Sequence, residues 1–240
     1  MANRLVAQLA ETRSGNDRAN VVEELRRLIL SGGAPPGTHI MPGEVADAFQ
    51  VSPIPVREAL KTLVGEGLVE HRRNSGYRVS RLSLAELNEI YFVRGILEQA
   101  ALSRAVNNIS AADLALARSY HDEMVTATKY QDGMAFHTAS RLFHMTLATP
   151  CAMLRLLNMF AATWNLTEPF QVMRAVDSDT QVKFNADHAE LLAAFTDRDT
   201  AAVLEAARAH HNRIEAAIIE TGGALHVLDD PGHEHGLRTR

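Results

Sequence analysis

The chain has 240 residues, 46% of them apolar and 22% charged, with eleven histidines, one cysteine and a formal net charge of −5. That length suffices for one large domain or two modest ones with a buried core. No apolar run approaches ~18 residues, which excludes a membrane-spanning helix from the pattern, and the lone Cys151 excludes an internal disulfide and predicts a reducing, cytoplasmic setting.

The first residues, MANRLVAQLAETRSGN, show no apolar core followed by a cleavage site, so no secretion signal is expected. Charge is unevenly placed: 11 Lys and Arg against 9 Asp and Glu in residues 1–81, then 13 against 20. A mildly basic front and an acidic back predict two modules with different partners. From Asp17 to Leu30, Val21, Leu25, Leu28 and Ile29 share one helical face, and Ser31-Gly32-Gly33 ends it. Ala34-Pro35-Pro36-Gly37 reads as a turn. A short helix follows from Pro42 to Gln50, with Val45, Ala46 and Phe49 inward. A second runs from Pro55 to Glu66, with Val56, Ala59, Leu60 and Leu63 inward. Leu68-Val69-Glu70-His71 and Tyr77-Arg78-Val79-Ser80 read as two strands around a polar loop. Helix, short helix, turn, helix, hairpin is the outline of a winged helix-turn-helix, spanning 1–82 with its ordered part at about 17–82.

Beyond Ser83 the alternation disappears and helical periods take over, with expected spans 83–107, 110–131, 133–148, 151–168, 176–196 and 199–221. Ser83 with Glu86, Ser110 with Asp113, and Asp199 supply N-cap signals. Trp164, Met145, Met153 and Met159 are expected to pack inside this bundle. Residues 222–240 read as a flexible tail, with His226, His233 and His235 solvated. The expected fold is therefore mainly α: an N-terminal winged helix-turn-helix over 1–82 and a C-terminal all-α bundle over 83–221.

In a helix-turn-helix the second helix enters the major groove, and its first residues meet base edges and phosphates. Pro55 presets φ near the first turn, Ser52 can cap or donate to a phosphate, and Arg57 can grip guanine or phosphate with two bonds. The residues Leu28-Ile29-Leu30-Ser31-Gly32, Pro36-Gly37, Glu44-Val45-Ala46, Val51-Ser52, Pro55-Val56-Arg57-Glu58-Ala59-Leu60, Glu66-Gly67-Leu68-Val69 and Gly76 resemble the DNA-binding domain of the GntR family of bacterial transcription regulators. The resemblance implies DNA contacts from Ser52, Arg57 and the wing residues Arg73, Asn74 and Gly76, with Pro55 shaping the helix start. Where that family usually has an arginine after the serine, this chain has Pro53, followed by Ile54, so recognition at that position departs from the pattern.

Three further residues stand on apolar helical stripes. Phe184, His188, Leu191 and Phe195 follow 4-3-4 spacing; Val203, Ala207, His210, Ile214 and Ala217 form another stripe, with His211 expected to turn away; His144 shares a face with Leu147 and Ser140. Inward histidines on three helices are either hydrogen-bonded core residues or ligands of a divalent transition metal. Residues 83–221, through Arg94, Leu97-Glu98, Phe143-His144, His188 and His210, resemble the FCD ligand-binding domain of the FadR subgroup. That resemblance implies an all-α bundle around a cavity, with His144, His188 and His210 holding Zn²⁺ or Ni²⁺ and a carboxylate effector completing the coordination. Ser140 occupies the place of the usual carboxylate ligand, which predicts weaker metal binding; His137, one turn back, is a poorer substitute. Arg94 and Ser140 are the expected effector contacts, Arg94 having the alternative of an i,i+4 surface pair with Glu98.

The function implied is a ligand-responsive repressor, a homodimer on a pseudo-palindromic DNA operator, sensing a small organic acid and touching no membrane. Two readings compete with it: a metal-dependent enzyme built on the three histidines, and a regulator whose pocket is metal-free. The first lacks a base motif such as H-E-x-x-H or any nucleophile motif, so no enzymatic activity is expected.

Overall fold

A computed structural model describes residues 21–73, 75–170 and 172–221; the expectations for residues 1–20, Asn74 and the tail from 222 lie outside them. Among the described residues no helix is long and apolar enough to cross a membrane.

The head opens with α1 (Val21–Leu30), which buries the four residues its period predicts: Val21, Leu25, Leu28 and Ile29. It ends where Gly33 N–H bonds back to the Leu28 carbonyl at 3.0 Å. Strand β1 (His39–Ile40) follows, then α2 (Pro42–Phe49), which Gln50 closes with a left-handed backbone at φ 54°. Helix α3 (Pro53–Gly65) packs Val56, Ala59, Leu60 and Leu63 inward. Strands β2 (Val69–Arg72) and β3 (Gly76–Val79) form the wing hairpin, paired antiparallel with Val69 opposite Val79 and Arg72 opposite Gly76. The sheet order is β1-β3-β2, because β1 fills the free edge of β3 with Ile40 opposite Tyr77. Two residues are too few to show alternation, which is why the sequence reading passes over β1. Leu25, Ile29, Val45, Val56, Leu60 and Val79 have no exposure, each such burial being worth about 1.5–3 kcal/mol. Arg26 reaches across to Glu66 with Nε 2.9 Å from Oε2, fastening α1 to the end of α3.

The other head boundaries after α1 shift by one residue at most, but the start of the recognition helix shifts by two. Helix α3 begins at Pro53 rather than Pro55, with Ser52 in the N-cap position but its hydroxyl making no capping bond. Both prolines fit because the first-turn N–H groups they lack have no acceptor within the helix.

The bundle comprises α4 (Leu84–Ala105), α5 (Ala111–Tyr130), α6 (Gly133–Ala148), α7 (Leu154–Thr167), the short α8 (Val172–Ala175), α9 (Ser178–Thr196) and α10 (Thr200–Thr221). Single 3-10 turns, Thr149–Cys151 and Glu168–Phe170, flank α7. The capping boxes form as predicted: Ser83 N–H donates to Glu86 at 2.7 Å and Ser110 N–H to Asp113 at 2.9 Å. Helix α4 packs on α7 and α10, α5 on α6 and α9, and α9 on α10. Phe136, Phe143, Phe160, Phe184 and Phe195 fill the space between them. Trp164 is buried as expected, but Met153 and Met159 are 37% and 62% exposed.

Head and bundle meet at the C-terminal end of α7. Gly67, at φ +77°, leaves room for the Leu166 side chain, and α1 packs on the 3-10 turn Glu168–Phe170.

A buried histidine cluster and an exposed recognition helix

The start of α3 presents a contiguous exposed surface: Ser52, Pro53, Ile54, Pro55 and Arg57 all face solvent, while Val56 points into the head core. Ile54 is 72% exposed, the largest value of any bulky apolar side chain among the described residues of the head. Arg57 and the wing residue Arg73 make no ion pair among the described residues, so both guanidinium groups are free to meet an anionic partner; Gly76, half-buried at φ 73°, begins β3. The free backbone N–H groups of a helix start are a common place for an anion to bind. With prolines at the first and third positions of this one, only Ile54 among its first three residues still carries such a group.

The bundle builds its site in the interior. His144 on α6, His188 on α9 and His210 on α10 are 1–2% exposed and converge. His144 Nε2 lies 3.1 Å from His188 Nε2, which lies 3.2 Å from His210 Nε2. All three ligand atoms fall within 4.8 Å of one another. Their tautomers follow from what stands behind them. His144 Nδ1–H donates to Glu98 Oε1 at 2.5 Å, and His210 Nδ1–H to Asp187 Oδ2 at 3.3 Å. Two of the three Nε2 atoms therefore turn lone pairs inward, and at most one N–H, from His188, is left to share among three nitrogens. A cation satisfies all three. These two separations match the roughly 2.9–3.4 Å expected between neighbouring nitrogens bound at about 2.1 Å to one ion.

The electrostatics agree. Burial pushes His188 well below its ordinary value, with neighbouring His210 and His144 adding to it. Burial likewise lowers His210, against the pull of Asp187. Neutral imidazole is the ligand form. Burial works hardest against the Glu98 charge, but His144 and then His211 outweigh it and hold that carboxyl down at about 2. Carboxylates that accept from the far nitrogen of a ligating histidine fix its orientation and raise its basicity. Arg213 steadies Asp187 in turn, Nε to Oδ2 at 2.8 Å.

Beside the triad lies a small cleft lined among others by His188, His210, Arg94, Ser140, His137 and Trp164. Arg94 is 2% exposed, which overturns its reading as half of a surface pair. Its guanidinium lies between the Tyr91 and Trp164 rings, 4.2 and 4.3 Å from their centroids, and donates to the Thr163 carbonyl at 2.7 Å and to Thr167 Oγ1. No carboxylate pairs with it among the described residues.

Residues 89–213, more than half of the chain, match the FCD domain, and residues 18–79 match the bacterial regulatory proteins of the gntR family. The chain belongs to the GntR family, with an FCD domain behind its DNA-binding head. Over 128 residues, 53% of this chain and 52% of the relative, it is 38% identical to the gluconate operon transcriptional repressor of Bacillus subtilis. Over 108 residues, 45% and 47%, it is 32% identical to the HTH-type transcriptional repressor RspR of Escherichia coli. The chain spans about half the length of these curated relatives. The crystal structure of a GntR transcriptional regulator from Rhodococcus sp. RHA1 superposes with a TM-score of 0.70 at 25% identity, over 85% of this chain and 97% of that one. E. coli McbR/YncC shares the fold, with a TM-score of 0.72 at 22% identity, over 88% and 99% of the two chains. These proteins are transcription regulators rather than enzymes.

Within this GntR-family bundle the three predicted histidines and both predicted effector contacts, Arg94 and Ser140, come to one place. Three neighbours, Glu98, His211 and Trp164, escaped the sequence reading as site residues, and His137 entered it only as a poorer substitute ligand. Glu98 shares the buried stripe Leu87, Tyr91, Arg94, Glu98, Leu102, Ala105, and two charges on an otherwise apolar stripe were the available signal. His211 does not turn away as expected: it is 5% exposed, with Nδ1 3.6 Å from Glu98 Oε2. Gly95 makes this possible, because a Cβ there would overlap the His211 ring. His137 is buried and bonded to Glu168 at 2.8 Å, and Trp164 stacks on Arg94.

Proposed function

We propose that this chain is a ligand-responsive DNA-binding repressor, working as a homodimer in the cytoplasm, whose bundle senses a small organic acid at a divalent metal held by His144, His188 and His210. One observation carries the reading. Three inward Nε2 atoms short of protons adjoin a buried guanidinium with no carboxylate, in a chain whose other end exposes the start of a recognition helix. Zn²⁺ or Ni²⁺ suits three imidazoles, and, when bound, the ion supplies a Lewis-acidic anchor for a carboxylate. Ser140 offers a hydroxyl in place of a charged ligand, so the ion is held less tightly and more of its coordination is left to the acid. Arg94 pairs with the acid's charge. On the DNA, Arg57 grips guanine or phosphate, Ser52 donates to phosphate, Pro53 and Pro55 set the helix start, and Arg73, Asn74 and Gly76 of the wing enter the minor groove.

Coupling between the two ends runs through α7. Arg94 bonds to Thr163 and Thr167; Leu166, between them, touches Gly67, and Glu168 begins the turn under α1. An acid that draws Arg94 toward itself changes those bonds and thereby favours one placement of the head over another.

Two heads are needed to read a two-fold operator. Helix α4 is apolar on both sides: its inner face is core, while Phe92, Val93 and Ile96 stand 60%, 40% and 53% exposed on the outer one. A second copy packing there would cover them.

The test is metal content and operator binding of protein free of any affinity histidine tag. Wild type should retain about one divalent ion per chain after dialysis against excess metal, and His188→Ala none. Small carboxylates should release an operator fragment from the loaded protein only. Equal metal content in the two proteins would refute the metal site, and an operator complex indifferent to every acid would refute the sensor.

A further inference from the structure

We infer that Ile54, the second residue of α3, reads the 5-methyl group of a thymine in the major groove and so fixes an A·T pair in each half of the operator. The inference rests on the reading of α3 as the recognition helix. It adds a base-specific apolar contact to the polar ones made by Ser52 and Arg57.

The starting observation is a bulky apolar side chain that the fold does not use. Ile54 is 72% exposed, against 53% for Met41 and 37% for Val64, the other exposed large apolar residues among the described residues of the head. From this helix the head core takes Val56, Ala59, Leu60 and Leu63, and Ile54 has no part in it. Nor is isoleucine a strong helix former, so an exposed first turn gains nothing from it locally. A lone exposed apolar residue needs no explanation in itself; this one stands where a recognition helix meets base edges.

Its surroundings decide what it can meet. The outer face of α3 runs through Ile54, Arg57, Glu58 and Lys61, all exposed and at helical spacing. Glu58 and Lys61 are tied to each other at 2.8 Å, which leaves Ile54 and Arg57 as the uncommitted side chains of that set. The first turn, Pro53 to Val56, carries no charge, and its two prolines have no N–H to offer. What it presents to a duplex is two pyrrolidine rings and an isoleucine. In the major groove the bases show donors and acceptors, with a single apolar group among them: the C5-methyl of thymine. An apolar helix start therefore selects thymine, as Arg57 selects guanine or phosphate.

Stiffness favours the contact. Pro53 and Pro55 hold the backbone φ on either side of Ile54. A β-branched side chain on a helix keeps essentially one χ1 rotamer. The group that meets the methyl is thus held in place before binding, and little freedom is lost when it docks.

The experiment uses full-length protein free of acid and a pool of synthetic duplexes with a random core, from which bound sequences are selected. In the selected duplex each thymine is then replaced in turn by deoxyuridine, which pairs alike and lacks only the methyl. Fluorescence anisotropy should show one thymine per half-site whose methyl is worth about threefold in affinity, and about tenfold when both half-sites are changed together. Ile54→Ala should bind the thymine and deoxyuridine duplexes equally well, and its melting temperature should match wild type because the side chain is exposed. A wild type indifferent to every thymine methyl would overturn the inference and leave the recognition helix standing. A methyl preference that survives in Ile54→Ala would overturn it too, by assigning the contact to another residue. Failure of the pool to enrich any sequence would overturn both the inference and the reading of α3 on which it rests.

Discussion

In the head, Ser52, Ile54, Arg57 and Arg73 stand exposed over a core with no charge in it, whereas in the bundle Glu98, His144, His188, His210 and Arg94 are the core. The head can be assembled from apolar periodicity alone, and its polar residues cost nothing to keep in water. In the bundle a buried charge is costly without a partner, and, Arg94 apart, its buried charges come paired: Glu98 with His144, Asp187 with His210, Glu168 with His137. A change in the head should therefore alter DNA binding with no effect on folding, while a change in the bundle's site should alter stability, metal and acid binding together.

Arg57→Ala tests the first half of that contrast and should give the largest effect. Each copy in a dimer loses a contact worth about 1–3 kcal/mol, so operator affinity falls by up to about four orders of magnitude in a fluorescence anisotropy titration. The melting temperature and the metal content should match wild type. Arg57 touches no described partner, and a large drop in melting temperature would show the head to be less modular than its core implies.

The second half shows in the pH dependence of chelator-treated protein. Burial holds His211 at about 4, and pushes His188 and His210 down as well. The unfolded chain binds protons on these rings below about 6.5 while the folded one does not, so stability is lost as pH falls from about 6.5 toward 4. For His211 alone that amounts to about 3 kcal/mol. Thermal scans between pH 7.5 and 4 should show a decline in midpoint that begins near 6.5, ahead of any carboxylate.

The same contrast explains what the sequence could reveal. The head is legible because its features are local: four residues of α1, the two-proline entry to α3 and the hairpin are each read within about a dozen positions. Beyond one-residue shifts at strand and helix ends, β1 and the start of α3 are missed, the one too short for a period and the other because Pro53 and Pro55 both fit a first turn. In the bundle the triad is legible because each histidine sits on its own apolar stripe, but Glu98 and His211 are legible only through each other. His211 looks solvent-facing until Gly95 lets α10 approach α4, and the Glu98 pairing with His144 spans 46 positions. Contacts of that kind depend on which helices are neighbours, which no single helical period contains.

Glu98→Gln sharpens the contrast from inside the bundle. The amide oxygen can still accept from His144 Nδ1–H, so the fold should persist, but the charge that raises the ring's basicity is gone. Removal of such a partner typically lowers metal affinity about 10–100-fold, measurable by competition with a chromophoric chelator. Operator binding without any acid should stay near wild type. An unchanged metal affinity would mean that Glu98 serves packing around His144 and His211 and nothing more.

The smallest effect belongs to the seam between the two regions. Thr167→Val keeps the size of the side chain and deletes the hydroxyl that accepts from Arg94, while the Thr163 carbonyl still accepts at 2.7 Å. One of two bonds is lost, at a net cost of about 1 kcal/mol, a factor of about five in an equilibrium. If Arg94 is shared between α7 and the acid, loosening its hold on α7 should tighten acid binding by about that factor. Acid release of the operator should weaken at the same time, because Arg94 no longer pulls through Thr167 on the stretch from Leu166 to Glu168 that touches Gly67 and α1. Tighter binding with weaker release is a pairing that a purely local pocket effect would not produce. If acid affinity and operator release both stay at wild-type values, the head and the bundle communicate by another route, and the contact between Leu166 and Gly67 is only the place where they rest against each other.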